Sequence, residues 1–345
     1  MEPVRLTKAA GPAFAASAAH RQQPRAREPF TRSTRFRQFA SAAFRMFQRL
    51  GVNITPRHFY WPIPDLNALS TKKWTECSVS EGVDLQLNRQ LQLLSSGFLA
   101  PQAELNFGDT QTECEHEFHF NNGYFERVDA EVAYSVVRQF RPHKIIEIGS
   151  GHSTRLMAAA LCRNHEEGSP GELIGIEPHP SPVLKRGFPG FTELILKRVQ
   201  DVPLDLFRSL DAGDILFIDS SHVVAVGSDV VHEILHILPK LKPGVIVHVH
   251  DIFIPADYPE KFVMTNLCFW GEQYMLEAFL SFNRAFEVLW ASSAMQFYHR
   301  DVLEQYFPRW AGSFERMSPA MKVFTPTLDG KNVWPCSLWM QKTGD

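Results

Sequence analysis

The chain has 345 residues, 44% of them hydrophobic and 21% charged, with a formal net charge of −3. This is globular composition, long enough for one large α/β domain plus an appended module. No run approaches eighteen uncharged apolar residues, so no helical membrane span is expected, and the near-neutral balance argues against nucleic acid as a partner. The five cysteines (77, 114, 162, 268 and 336) are odd in number and form no C-x-x-C pair. That spacing argues against a disulfide framework or a zinc knuckle and predicts a reducing, cytoplasmic setting.

In chain order, residues 1–50 carry ten Lys or Arg against Glu2 and Glu28, a surplus of eight positive charges that leaves the remainder at −11. The arm lacks an apolar h-region and reads as a largely disordered tail running into an amphipathic helix near Phe36 to Leu50; in a eukaryote an Arg-rich start would also suit a transit peptide. Residues 51–128 are richer in Pro, Trp and polar residues and read as a helical cap or lid. Within them His58, Phe59, Tyr60 and Trp61 are candidate pocket aromatics, and Cys114 to His119 is expected to form an exposed polar edge. Residues 129–345 form the main domain. A helix is expected over 129–140, with Asp129 as its N-cap and Pro142 as its break.

From Lys144 onward, apolar runs of strand length alternate with helical patterns, which predicts a parallel sheet wound with crossover helices. Strands are expected at 144–148, 172–177, 193–199, 214–219 and 244–250, with 286–292 and 336–342 closing the sheet. The crossover helix over 227–240 contains His232-Glu233-Ile234-Leu235-His236, a formal H-E-x-x-H match to zinc metallopeptidases. At 100° per residue, Val230, Val231, Ile234, Leu235, Ile237 and Leu238 share one arc. His232, Glu233 and His236 fall on the opposite one and are expected to face water, away from the strand ends where α/β sites form.

The first strand runs into Glu147-Ile148-Gly149-Ser150-Gly151-His152-Ser153-Thr154 and a helix. Two glycines here let the backbone turn tightly and approach a ligand at a helix N-terminus. A dinucleotide fingerprint would place a third Gly where Thr154 stands, which argues against NAD or FAD. Glu177 at the second strand tip is placed to accept from two ribose hydroxyls, and Asp201 follows the third strand.

In this order (EIGSGHST, IGIEPHP, VQDV, DILFIDSSH, LKPGVIVHVHD) residues 129–345 resemble the class I S-adenosylmethionine (SAM)-dependent methyltransferases, in the branch of small-molecule O-methyltransferases. The resemblance implies a Rossmann-like, mostly parallel seven-stranded sheet with its last strand antiparallel. It implies methyl transfer to a small-molecule acceptor, expected at a hydroxyl as in specialised metabolism; a homo-oligomer is compatible with it. Carried over by position, Glu147, Gly149, Ser150 and Gly151 would cradle the methionine part of SAM, Glu177 the ribose and Asp201 the adenine, with Asp219 also at the cofactor. Metal-dependent relatives carry an acidic ligand after the fourth strand and a pair after the fifth. Asp219, His250 and Asp251 occupy those places, and an imidazole in the set favours a softer divalent ion than Mg²⁺.

His248 and His250 share a strand face. A neutral imidazole suits proton removal near pH 7, with His222 the first candidate base and His250 the second. The stretches 58–65 and WGEQY (270–274) look like marks of a narrower subgroup, and 253–283 is expected to help shape the acceptor pocket. Two rival readings remain: a zinc metallopeptidase through His232, Glu233 and His236, and a non-catalytic SAM-binding scaffold whose basic arm docks a partner.

Overall fold

The structure, a computed structural model, describes residues 34–55, 62–77, 79–101 and 103–344. The basic arm before residue 34 and the candidate aromatics His58 to Trp61 lie outside the described residues. The chain divides into two units, residues 1–61 and 62–345. In the first, the expected helix is present as α1 (Thr34–Arg49).

The second unit opens with two short helices, α2 (Leu66–Leu69) and α3 (Leu87–Ser95), and continues through α4 (Asp129–Phe140) into the sheet. Its strands are β1 (Lys144–Ile148), β2 (Glu172–Ile176), β3 (Glu193–Ile195), β4 (Ile215–Ile218), β5 (Ile246–Val249), β6 (Phe286–Ala291) and β7 (Leu338–Lys342). They lie in the order β3-β2-β1-β4-β5-β7-β6. The five from β1 to β5 pair in parallel, and β7 runs antiparallel between β5 and β6. The α/β class, the Rossmann-like winding and the antiparallel last strand are as expected.

The third strand is shorter than its apolar run. β3 sits at the sheet edge beside β2, Lys197 N–H folds back to Ile195 C=O (2.9 Å), and Leu196 is exposed. An edge strand has one partner only, so its ladder ends where β2 ends, whatever the following residues prefer.

Side chains alternate across the sheet with period two. Ile145, Ile215, Phe217 and Trp339 face a core shared with α4 and with α5 (His152–Glu166). Ile146, Ile148, Leu216, Ile218 and Val247 face the other core, built with Phe207 of α7 (Leu204–Arg208, after the short α6, Pro182–Arg186), Val230 of α8 (Asp229–His232) and Leu276 of α9 (Glu272–Leu280). The segment read as a cap is not walled off from the main domain: Leu94, Phe98, Leu105, Phe118, Phe120 and Phe125 are buried in the same core as α4. Too small to enclose its own phenylalanines, the segment buries them on the sheet.

Two local expectations are corrected. Asp129 is the first residue inside α4, not its N-cap; its carboxylate accepts the backbone N–H groups of Cys336 (2.8 Å) and Ser337 (3.0 Å), while Glu131 reaches back to the N–H of Val128 (3.1 Å). The carboxylate thus ties the start of α4 to the entry of β7. The crossover over 227–240 is not one α-helix: after α8 it widens to π geometry at Glu233–Ile237 and tightens to a 3₁₀ turn at Leu238–Lys240. The change of phase breaks the 100° wheel. Glu233 becomes fully buried and accepts from Ser220 Oγ (3.0 Å), Leu235 is turned out, and only His236 is exposed as expected, with His232 half-buried.

Candidate functional site

The loop after β1 is built from within. Glu147 is fully buried, and its two carboxylate oxygens accept from Ser153 Oγ and Thr154 Oγ1 (2.6 Å each). Thr154 Oγ1 in turn accepts the N–H of Gly151 (2.8 Å), capping the first turn of α5. Glu147, expected at the methionine part, uses both its oxygens inside the protein and so shapes the loop. Burial pushes its pKa up to about 7 against the pull of those hydroxyls.

Gly149 has φ +81°, and a Cβ there would lie 1.9 Å from the carbonyl oxygen of Asp219. The β1 loop and the β4 tip therefore touch through bare backbone. Gly151 differs: its φ of −165° is extended backbone open to any residue, and a Cβ there meets nothing within 4 Å. The space in front of Gly151, at the N-terminus of α5, admits a ligand at backbone distance, which fits SAM.

Glu177 stands one residue beyond β2, half-buried, with Oε1 accepting the N–H of His179 (2.7 Å). Asp201, expected at the adenine, lies in a 3₁₀ turn (Val199–Asp201), exposed and paired in two-pronged fashion with Arg198 (2.8 and 3.0 Å). The early end of β3 leaves it six residues past the strand, and the Arg198 pair holds its pKa below the usual carboxylate range.

The remaining candidates converge where β4 and β5 end. His222 Nε2 lies 3.5 Å from Asp219 Oδ1 and 3.4 Å from Asp251 Oδ2, and its Nδ1 is 2.7 Å from Glu272 Oε2. His250 Nδ1 lies 3.5 Å from Asp219 Oδ1 and 3.9 Å from Asp251 Oδ1. Both His222 (φ +61°) and Asp251 (φ +54°) hold left-handed backbone, a strain of about 1–3 kcal/mol each that surrounding contacts must sustain. For His222 those contacts are on the page. Its carbonyl accepts the N–H groups of Gly271 (2.9 Å) and Glu272 (3.2 Å), docking the loop after β4 on the start of α9, and Trp270 packs on its ring at 4.5 Å.

Electrostatics correct the expectation of a neutral imidazole. Burial opposes the charge on His222, but the hydrogen bond to Glu272 and the charges of Glu272, Asp251 and Asp219 outweigh it and push the pKa up to about 10. Burial likewise opposes the charge on His250, and Asp219 and Asp251 outweigh it, to about 9. In the protein without a bound cation both rings therefore carry protons at neutral pH. His248 belongs to the core: it stacks on Phe217 at 3.7 Å, meets Ser337 Oγ at 2.9 Å, and burial holds its pKa well below that of a free imidazole.

Among the described residues, two sets of side chains bring ligand atoms within 4.8 Å of one another: Asp219, His222 and Asp251, and Asp129, His250 and Cys336. The expected trio of Asp219, His250 and Asp251 is thus regrouped, with His222 taking the place of His250. In the second set both Asp129 oxygens already hold backbone N–H groups. The first set fits a divalent ion: Glu272 fixes the His222 tautomer and leaves Nε2 facing two carboxylates, the usual outer support of a metal-binding imidazole. His232, Glu233 and His236 belong to neither set, and the buried, Ser220-bonded Glu233 is not presented to a substrate as a peptidase base requires.

A cavity of about 430 Å³ opens over this cluster. Its lining includes Asp219, His222, His250 and Asp251 together with the aromatic side chains of Tyr124, Phe262, Trp270, Phe324 and Trp334. The sequence stretch WGEQY stood out, yet Glu272 within it carried no signal of its role. Glu126, which also lines the cavity, was missed altogether.

Residues 146–252 match the sequence model of a methyltransferase domain, spanning β1 to the end of β5 and hence the loop and the cluster just described. That stretch of the chain is a methyltransferase domain. That match makes the chain a methyltransferase by its domain content. It is 32% identical over 173 residues to an uncharacterized protein of Archaeoglobus fulgidus, covering 48% of this chain and 76% of that one. Similar solved structures include an O-methyltransferase from Bacillus cereus in complex with S-adenosylhomocysteine (SAH), at 14% identity and TM-score 0.29, covering 59% of this chain and 82% of that one. Another is the plantazolicin methyltransferase in complex with a triazolic desmethyl analogue and SAH, at 13% identity and TM-score 0.33, covering 62% of this chain and 83% of that one. No helix among the described residues is long and apolar enough to cross a membrane.

Proposed function

We propose that this methyltransferase acts in the cytoplasm on a hydroxyl of a small molecule bound in the aromatic cavity, with a divalent ion held by Asp219, His222 and Asp251. The observation that carries the reading is His222 Nε2 facing two carboxylates, with Glu272 on its other nitrogen, at the floor of a cavity sized for a small ligand. SAM, when bound, supplies a methyl group on a positively charged sulfur. The open space before Gly151 at the start of α5 would receive it against bare backbone, and Glu177 would accept from its ribose. Asp219 touches the loop through Gly149 and also lines the cavity, which supports a donor seated beside the acceptor. The acceptor oxygen attacks the methyl carbon as the carbon–sulfur bond breaks, so the protein's tasks are alignment and removal of one proton. A divalent ion on the trio would acidify the acceptor hydroxyl. With His222 serving as ligand, His250 is the remaining imidazole on the cavity wall. The charges of Asp219 and Asp251 hold a proton on this ring; once a divalent ion neutralises them, the ring is released to the neutral form that can take the proton.

Calorimetry tests the assignment before any acceptor is known. SAH is expected to bind, and Glu177→Ala to weaken it at least tenfold, about 1.4 kcal/mol. Mn²⁺ is expected to bind the wild type and to lose most of its affinity in His222→Ala. Unchanged SAH affinity in Glu177→Ala removes the ribose assignment, and equal Mn²⁺ binding in His222→Ala removes the metal trio.

A further inference from the structure

The first unit carries a helix with two unlike faces. α1 (Thr34–Arg49) holds four arginines and no acidic residue, and between Glu28 and Asp65 the sequence has six arginines and no acid at all. At 100° per residue, Phe39, Ala43, Met46, Phe47 and the following Leu50 fall within one arc of about 100°, and Ser41, Arg45, Gln48 and Arg49 fall on the opposite one. The helix is closed by its own backbone. Gly51, at φ +78°, donates its N–H to Gln48 C=O and Val52 donates to Phe47 C=O (3.0 Å each), a Schellman-type end that satisfies two of the last carbonyls.

Burial does not account for the apolar arc. Phe39 is 71%, Met46 54% and Leu50 71% exposed, and Val52 and Ile54 just beyond the helix are exposed as well. Large apolar side chains scattered singly over a surface are ordinary, whereas a group of them on one short segment marks an interaction surface. The charge pattern selects what covers it. A protein groove that receives a helix takes the apolar face and leaves the far face to water, so it places no demand on the sign of the far charges. Here the charges are basic only, and residues 1–33 add Arg5, Lys8, Arg21, Arg25, Arg27 and Arg32 against Glu2 and Glu28. An anionic bilayer makes both demands at once: apolar side chains enter the acyl boundary while guanidinium groups stay level with the phosphates. Sixteen residues rise only about 24 Å and half of them are polar, so the helix suits the plane of the surface and not a span.

We propose that α1 is an in-plane anchor that holds the methyltransferase at the surface of an anionic lipid bilayer. Phe39, Met46, Phe47 and Leu50 enter the lipid, and Arg45 and Arg49 meet the phosphates. All of these residues belong to the first unit, so the proposal stands or falls apart from the cofactor and acceptor assignments.

The test is cosedimentation of the full chain with vesicles of phosphatidylcholine alone, and of phosphatidylcholine mixed about two to one with phosphatidylglycerol. Binding to the anionic vesicles is expected to be at least tenfold tighter, and to weaken severalfold as salt is raised, because exposed charges are screened. The combined variant Phe39→Gln, Met46→Gln and Leu50→Gln is expected to lose at least tenfold; Gln is a good helix former, so the variant probes the face and not the helix. Arg45→Gln with Arg49→Gln should lose at least fivefold on anionic vesicles and nothing on neutral ones. Failure of the wild type to bind anionic vesicles, equal binding to both kinds, or undiminished binding in the apolar variant overturns the proposal. Self-association of the wild type that the apolar variant abolishes, without vesicle binding, would overturn it in favour of a second copy as the occupant of the face.

Discussion

Glu147 illustrates how a single buried acid couples ligand-loop geometry to pH. Its two oxygens take the Ser153 and Thr154 hydroxyls, and its pKa rises from 4.5 to about 7 because burial outweighs those bonds. The folded state thus holds this proton more tightly than the unfolded chain. The contribution to stability is full below about pH 4.5 and is lost as pH rises to about 7, by roughly 3 kcal/mol. Glu147→Gln keeps an acceptor for the hydroxyls and removes the titration. Thermal melts of the variant are expected to lack the part of the wild-type decline that falls between pH 4.5 and 7. An identical decline in both would place its source elsewhere. At His222 and His250 burial instead opposes the proton, but neighbouring carboxylates overcome it, so these pKa values rise as well and the proton is held on.

At the scale of elements, the site is a junction of three strand tips and two helix starts, those of α5 and α9. β1 hands the chain to α5 through Gly149, β4 touches that loop through the Asp219 carbonyl, and β5 delivers His250 and Asp251. α9 supplies Glu272 from beneath. The two glycines of the loop have separable tasks. Gly149→Ala would force a Cβ into the Asp219 carbonyl at positive φ, with an expected loss of at least about 2 kcal/mol of stability. Gly151→Ala has room in the folded chain and is expected to melt near the wild type, while weakening SAH at least tenfold by filling the space before α5. Melting curves and calorimetry on the two variants separate fold from ligand. Loss of SAH affinity without loss of stability in Gly149→Ala would reverse the assignment.

For the whole molecule, the sheet, its two flanking cores and the aromatic cluster around Phe253, Tyr258 and Trp334 all belong to residues 62–345. Removal of residues 1–61 is expected to leave the melting temperature within a few degrees and SAH affinity within about threefold. A large fall in either would show that the first unit contributes to the fold or to the cofactor site. Within the second unit the stretch from Leu85 to Phe125 is structural, since its phenylalanines close one face of the sheet. The same stretch runs directly into the Asn122–Glu126 turn at the cavity wall, so packing there fixes that part of the wall.

The sequence by itself determined the elements whose physics is local. Five apolar runs separated by helical patterns specify a parallel wound sheet, and EIGSGHST after the first run specifies a loop that admits a ligand at a helix start. Asp219, His222, His250 and Asp251 follow from strand ends alone, because α/β sites form there. Tertiary structure decided whatever depends on a partner distant in the chain. His222 rather than His250 groups with Asp219 and Asp251 because Glu272, fifty residues away, takes its Nδ1. Asp129 serves β7 instead of capping α4 because Cys336 and Ser337 bring N–H groups to it. Asp201 falls in a 3₁₀ turn, paired with Arg198, because an edge strand ends with its neighbour. Glu233 turns inward because a π turn resets the helix phase beside Ser220. Periodicity reports which face of an element is apolar; the pairing of buried charges is set by long-range contacts that no local pattern encodes.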